Sequence, residues 1–355
     1  MKSRFYNINS KVPGMFILMV MNFVLAYPAD PSQPDSLFRS DEIINMELRA
    51  DFVALQNDRD KTPFYRDGEL IYYSPAGDTV TLTVKVMIRG HFRRDPANCN
   101  FPPLFVNFRK NEVKNTLFDN QDKLKLVTPC HAEEDIIEEY LVYKMYNKVT
   151  DMSLKVRLVK ILYFDTGLGT EVFQRFSYFI EHEEDAAERN DAFVKSRFIT
   201  PFDLNADNAK KLSVFQYIIG NKDWQFTSRH NLFLIQPNDT TLAPYAVPYD
   251  FDFSGFVNAH YTKPKGVPED LLPTRRLYNG LCYTPEEFKE IFNYFIKMKP
   301  EFESIINNME YISKSRRREK MAYINYFYNS IKDKELLKKD FLDICKTKKD
   351  YNIFN

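Results

Sequence analysis

Between residues 220 and 255 the chain reads Gly-Asn-Lys-Asp-Trp-Gln-Phe-Thr-Ser-Arg-His-Asn, then two short apolar runs, then Pro-Tyr-Asp-Phe-Asp-Phe-Ser-Gly. The runs at 232–236 and 245–249 predict the strands of a hairpin. Asp223 then lies in the loop ahead of the hairpin, Asn231 at its entry, and Asp250 and Asp252 at its exit. Hard oxygen donors gathered at one end of a hairpin suit Mg2+ or Mn2+, which take carboxylates and keep positions open for phosphate oxygens. The order Asp, Asn, strand, strand, Asp-Phe also suits phosphoryl transfer, where one Asp positions a hydroxyl while an Asn and a second Asp hold metal. Taken singly, each residue has a plainer reading. Asp at a strand end is a common turn former, Asp223 also suits a loop closing a helix, and His230 also suits a satisfied core or surface histidine. The conjunction carries the chemical reading.

The elements that must position these residues fall into two parts. An apolar face of Ile43, Ile44, Met46, Leu48, Phe52 and Leu55 predicts a helix within 37–60, with Ser40 and Asp41 as cap candidates. Residues 68–182 then predict β-β-β-β-α-β-β, opening with a hairpin that turns at Pro75 to Asp78. The helix is expected at about 133–148, and the last two strands at 154–164 and 172–180. Beyond the acidic stretch 181–185 the pattern is mainly helical, with helices expected at 208–220, 285–299, 300–313 and 315–347. The fold class read from this order is α+β. It comprises an antiparallel-sheet N-lobe with one main helix over 37–182 and a mostly helical C-lobe over 183–355, with a cleft between them.

Composition narrows the function classes. The 355 residues carry 49 Lys+Arg against 49 Asp+Glu, so no basic surplus exists to neutralise a nucleic-acid backbone. An aromatic content of 15% excludes a disordered chain. At the N-terminus, Lys2, Arg4 and Lys11 precede an apolar run from Met15 to Ala26. That run suits a signal peptide and is short of the roughly 20 residues that a spanning helix needs. Residues 1–26 are read as a signal peptide cleaved after Ala26, with an uncleaved anchor as the alternative, and 27–36 as a linker. The protein is thus expected to be exported, periplasmic or secreted, with no stable membrane span after cleavage. The four cysteines lack any CxxC spacing, so a zinc ribbon is unsupported and disulfides become possible. A Cys99–Cys130 pair is favoured, because these residues flank two strands.

Several short segments resemble those of the CotH-type atypical kinases, a family with a protein-kinase-like fold, and especially an exported bacterial branch of unassigned function. The resemblance rests on Ile88-Arg89-Gly90 ahead of a Pro-Pro strand, Lys123-Leu124-Lys125-Leu126-Val127 and Phe179-Ile180-Glu181. It rests further on the stretch from Asp223 to Asn231 and on Pro248-Tyr249-Asp250-Phe251-Asp252. In order these span about residues 40–300. The resemblance implies a two-lobed protein-kinase-like fold that uses ATP with Mg2+, or Mn2+. Asp223 would be the base or hydroxyl-positioning residue, Asn231 and Asp250 metal ligands, and Asp252 an additional or supporting ligand. Glu139 would orient a nucleotide lysine, with Lys125 the first choice and Lys123 the second. Glu181 would enter the hinge, and Arg89-Gly90 would cover phosphate. The chain departs from the pattern in three places: Asn100 to Pro103 stand where basic residues are usual, no GxGxxG run occurs, and the interval from Asp223 to Asn231 exceeds Asp-x4-Asn by three residues.

Three functions follow: phosphoryl transfer to a protein or small hydroxyl acceptor, ligand or protein binding by a catalytically degenerate member, and metal-assisted hydrolysis. Other features read as ordinary. Arg316-Arg317-Arg318 suits a solvated helix face, Glu183-Glu184-Asp185 an exposed loop, and Trp224 a core anchor. Asn238-Asp239-Thr240 fits a glycosylation sequon.

Overall fold

The computed structural model describes residues 36–59, 62–74, 77–197, 200–262 and 275–351. The expected signal peptide, and the linker apart from Ser36, lie outside the described residues. In chain order the first part contains β1 (Ile44–Ala50), α1 (Phe52–Asn57), β2 (Arg66–Tyr73), β3 (Thr79–Ile88), β4 (Leu104–Phe108) and β5 (Lys123–Val127). It continues with α2 (Glu133–Val149), β6 (Val156–Asp165) and β7 (Thr170–Ile180). The second part contains α3 (Glu183–Glu188), β8 (Ala192–Val194), α4 (Ala206–Ile218), β9 (Leu232–Pro237), β10 (Tyr245–Pro248), α5 (Pro285–Asn307) and α6 (Lys314–Ser330).

The seven strands β1 to β7 form a closed barrel in the order β1-β2-β3-β4-β5-β7-β6. Closure comes from β1, which pairs antiparallel with β2 and parallel with β6, from Ile44↔Val159 to Ala50↔Asp165. This corrects the expected fold. The sheet is mixed and closes on itself, so the chain does not adopt a two-lobed protein-kinase-like fold with an antiparallel-sheet N-lobe. The error traces to residues 44–50, read as part of a helix. Buried Met46, Leu48 and Ala50 alternate with exposed Asn45 and half-buried Glu47 and Arg49, a period of two that belongs to a strand. Burial of that alternate face inside the barrel, at about 1.5–3 kcal/mol for a large side chain, outweighs the weak local preference. Closing the sheet also removes edges that would otherwise stay unpaired. Gly68, opposite Ala50, permits the approach of β1 and β2: a Cβ there would lie 2.6 Å from the Arg49 carbonyl oxygen.

The barrel encloses its own core, with Leu48, Leu70, Val84, Val106, Leu124 and Ile161 among its buried residues. Helix α2 lies outside it. Ile137, Leu141 and Met145 share a second core with Leu158 and Tyr178 of the barrel wall and with the aromatic faces of α5 and α6. Helix α5 begins at a capping box, Thr284 with Glu287, and runs through Pro300 where a break between two helices was expected. Phe295, Phe302 and Ile306 bury one stripe of it, which outweighs the backbone bond that proline forfeits. The helix expected over 315–347 ends at Ser330.

Cys99 pairs with Cys130 and Cys282 with Cys345, and no free cysteine remains among the described residues. The sequence separations of 31 and 63 correspond to about 4 kcal/mol of chain-entropy stabilisation each. Among the described residues, no helix is long and apolar enough to cross a membrane.

Candidate functional site

The hairpin β9–β10 and helix α2 build the acidic side of the site. Pro248 pairs with Leu232, and the Tyr249 amide donates to the Asn231 carbonyl at 3.0 Å, extending the ladder by one step. Asn231 and Asp250 therefore leave the hairpin side by side. Both adopt positive φ, 53° and 62°, and Arg229 does so too at 53°. Non-glycine residues reach that region at a cost of order 1 kcal/mol or more, and such strain gathers where function demands a geometry. Helix α2 fixes the following segment through two residues one turn apart. The Tyr143 hydroxyl accepts from the Asp250 amide at 2.9 Å, and Glu139 accepts from the Phe251 amide at 3.1 Å. Phe251 is fully buried, with its ring centroid 4.7 Å from that of Tyr143.

This anchoring brings one carboxylate oxygen each of Glu139, Asp250 and Asp252 to within 4.8 Å of one another. Glu139 and Asp252 are buried and Asp250 is exposed. Burial, reinforced by the neighbouring Asp250 charge, pushes the Glu139 carboxyl up to about 7. Burial, then the charges of Asp250 and Glu139, hold Asp252 well above the usual carboxylate range, against the pull of Arg93 and a 2.7 Å hydrogen bond from the Tyr261 hydroxyl. Carboxylates crowded in this way are a site of unbalanced negative charge, the condition a divalent cation relieves.

Asp223 approaches from the end of α4. Gly220 closes that helix with φ of 64°, and a Cβ there would lie 2.0 Å from the Tyr323 hydroxyl oxygen, so glycine is required. The Asn221 side chain then accepts from the Asp223 amide at 2.9 Å. The Asp223 carboxylate is held by His230 Nε2 at 2.8 Å and Asn231 Nδ2 at 3.0 Å. Asn231 Nδ2 also donates to the Asp223 carbonyl at 2.8 Å, so the oxygen is what its amide can offer a cation. Asp223 remains 39% exposed at its side chain, open to an incoming group.

The basic side comes from the barrel. Arg89 and Gly90 follow β3, tied by the Arg89 amide donating to the Pro103 carbonyl at 2.8 Å. A short helical turn, Phe92–Arg94, buries Arg93, whose guanidinium donates to the Thr128 carbonyl and lies 5.4 Å from the Tyr261 ring. Lys125 on β5 lies 5.5 Å from the Tyr249 ring and pairs with Glu183, the first residue of α3. Burial opposes ionisation of Glu183, but the Lys125 ammonium prevails and lowers its carboxyl below the ordinary value. Together these groups line one cavity of about 330 Å³, within the range of small-ligand sites.

Of the residues singled out from the sequence, Asp223, Asn231, Asp250, Asp252, Glu139, Lys125 and Arg89 all line this cavity. Glu181 does not. Its carboxylate is buried against Arg189 at 2.9 and 3.0 Å and accepts from the Lys155 amide at 2.8 Å, while the preceding Ile180 faces the cavity. Nor does Glu139 orient Lys125; Glu183 does, a residue read from sequence as exposed loop. Lys123 lies 5.0 Å from the Phe105 ring, away from the cavity lining. Sequence reasoning also passed over Arg93 and gave His230 no role. The adjacency of His230 to Asn231 was the available signal for the latter.

No protein-family model matches this chain, and no curated protein matches it.

Proposed function

We propose that this cavity binds a nucleoside triphosphate, ATP in the first instance, and transfers its terminal phosphoryl group to a hydroxyl on a protein or small molecule. The observation that carries this reading is one 330 Å³ cavity with Glu139, Asp250 and Asp252 on one side, Arg89, Arg93 and Lys125 around it, and half-exposed Asp223 among its lining residues. Carboxylates alone would suit a structural cation. Carboxylates with basic side chains suit a cation carrying phosphate.

In this reading Asp250, Asp252, Glu139 and the Asn231 oxygen hold Mg2+ or Mn2+. The ion would neutralise charge on the phosphate oxygens when bound. Arg89 and Lys125 contact phosphate oxygens from the barrel side. Asp223, kept in one orientation by His230 and Asn231, accepts a hydrogen bond from the acceptor hydroxyl and directs its oxygen at phosphorus. The likeness of the 223–231 and 248–252 segments to CotH-type atypical kinases supports the same chemistry. The proposal rests on the cavity and not on the fold. Two disulfides and the N-terminal apolar run support an exported protein.

A second reading has one specific observation behind it. Lys125 is already neutralised by Glu183, which leaves Arg89 and Arg93 as the remaining lysine or arginine side chains in the lining and suits a ligand-binding protein without turnover. One experiment separates the two. Millimolar ATP with Mg2+ is expected to raise the thermal stability of the wild-type protein, because a ligand that binds only the folded state stabilises it. Autophosphorylation lost in Asp223→Ala, with the ATP-induced shift retained, supports transfer. A shift without any phosphorylation supports binding alone, and no shift in the wild type defeats both.

A further inference from the structure

Arg93 is the group in this cavity with the least obvious structural employment. It is 8% exposed, and its contacts are the Thr128 carbonyl and the Tyr261 ring. Its Nε–H is buried with no hydrogen-bond partner. Other buried arginines share that feature, but among the described residues only Arg93 of that group lines this cavity. The charges of Asp252 and Glu139 act on its guanidinium, yet neither carboxylate forms a direct ion pair with it among the described residues. Tyr261 connects the two sides, its ring facing Arg93 and its hydroxyl donating to Asp252 at 2.7 Å. A buried donor without an acceptor is costly, and a guanidinium is the side chain best shaped to meet phosphate oxygens.

We propose that Arg93 is both the built-in counter-cation of the Glu139–Asp250–Asp252 cluster and a phosphate-reading residue, its unpartnered Nε–H being directed to a phosphate oxygen of the ligand. This rests on the reading of the cavity as a site for a divalent cation with phosphate, and adds a role that reading does not require. The charge balance gives the role its signature. Three carboxylates and one guanidinium leave the empty cluster two negative charges from neutrality when all are ionised, the charge of a single divalent ion. Arg93 therefore opposes a metal bound alone and favours an anion bound alone.

The test uses the full chain and two simple probes measured separately: Mn2+ without phosphate, and inorganic pyrophosphate in metal-free buffer. In Arg93→Gln, Mn2+ is expected to bind about three- to tenfold more tightly, because a nearby positive charge is gone. Pyrophosphate is expected to bind about tenfold or more weakly, because a charge-assisted hydrogen bond is gone. Damage to the fold would weaken both. Arg93→Lys keeps the charge without the fork, so it is expected to leave Mn2+ affinity near that of the wild type while still weakening pyrophosphate. It carries the test if Arg93→Gln does not fold. Unchanged affinities, or both weakened together, in a folded variant would overturn the role of Arg93 while leaving the site reading intact. Failure of both probes to bind the wild type would overturn the site reading and this inference with it.

Discussion

Glu138 and Glu139 are neighbours on α2, both buried, and face different partners because successive helical residues point about 100° apart. Glu138 is fully buried against Lys320 at 2.7 Å and Arg316 at 2.8 Å, and Lys320 also donates to the Phe256 carbonyl at 2.6 Å. Glu139 faces Asp250 and Asp252 instead. Burial raises both carboxyls to about 7, but the neighbours act in opposite directions: Lys320 and Arg316 pull Glu138 back, whereas Asp250 pushes Glu139 further. One cluster brings its counter-charges within the chain and fastens α2 to α6 and to the segment after Asp252. The other lacks directly bonded counter-charges and is balanced when something binds. Buried charge with its partner in contact is scaffold, and buried like charge is a site.

The largest effect is expected on the paired side. Lys320→Met leaves Glu138 without its closest counter-ion and is expected to lower unfolding free energy by about 3–5 kcal/mol in urea titration. Glu138→Leu combined with Lys320→Met is expected to recover most of that loss, since replacing a buried pair together is close to neutral. If Lys320→Met costs nothing, Glu138 is not held as an ion pair and the contrast between the two clusters collapses.

The next effect has the opposite sign. A carboxyl raised in the folded state contributes stability below its unfolded value near 4.5, and loses it as pH climbs through about 7. In metal-free protein, stability is therefore expected to fall between those values. Glu139→Gln should flatten that fall, giving a gain of up to about 3 kcal/mol at pH 8 and little change at pH 4, because its amide oxygen can still accept from the Phe251 amide. Urea titrations of both proteins across that pH range check this. A loss at pH 8 would mean that Glu139 is a structural residue like its neighbour.

The sequence made parts of this arrangement readable and hid others for physical reasons. Strands β2 to β5, helix α2, and strands β6 and β7 coincide with local patterns, because alternation and helical period are properties of nearby residues. Strand β1 was lost because Ile44, Met46 and Leu48 were grouped with Phe52 and Leu55, which belong to the next helix. Its parallel partner β6 lies more than a hundred residues away, and no local signal announces that closure. The same division holds in the cavity. Asn231, Asp250 and Asp252 were readable because one hairpin carries them. The Lys125–Glu183 pair spans 58 residues, and Arg93 meets the acids only through the packing of a barrel loop on Tyr261. Residue types spaced along one hairpin could be read directly, and Glu139, Lys125 and Arg89 were reached through the family resemblance, but the contacts assembled across units, Lys125 with Glu183 and Arg93 with Tyr261, could not be read.

The smallest stability effect accompanies the sharpest test. Asp250 sits at positive φ, so Asp250→Gly relieves backbone strain while adding freedom to the unfolded chain, and is expected to stay within about 1 kcal/mol of the wild type. Electron paramagnetic resonance of Mn2+ titrated into metal-free protein at pH 8 then addresses the acid cluster directly. The account predicts that the wild type depletes the free-ion signal, that excess Mg2+ restores it, and that folded Asp250→Gly leaves it untouched. A free-ion signal undiminished by the wild-type protein, or equal binding by Asp250→Gly, would contradict it.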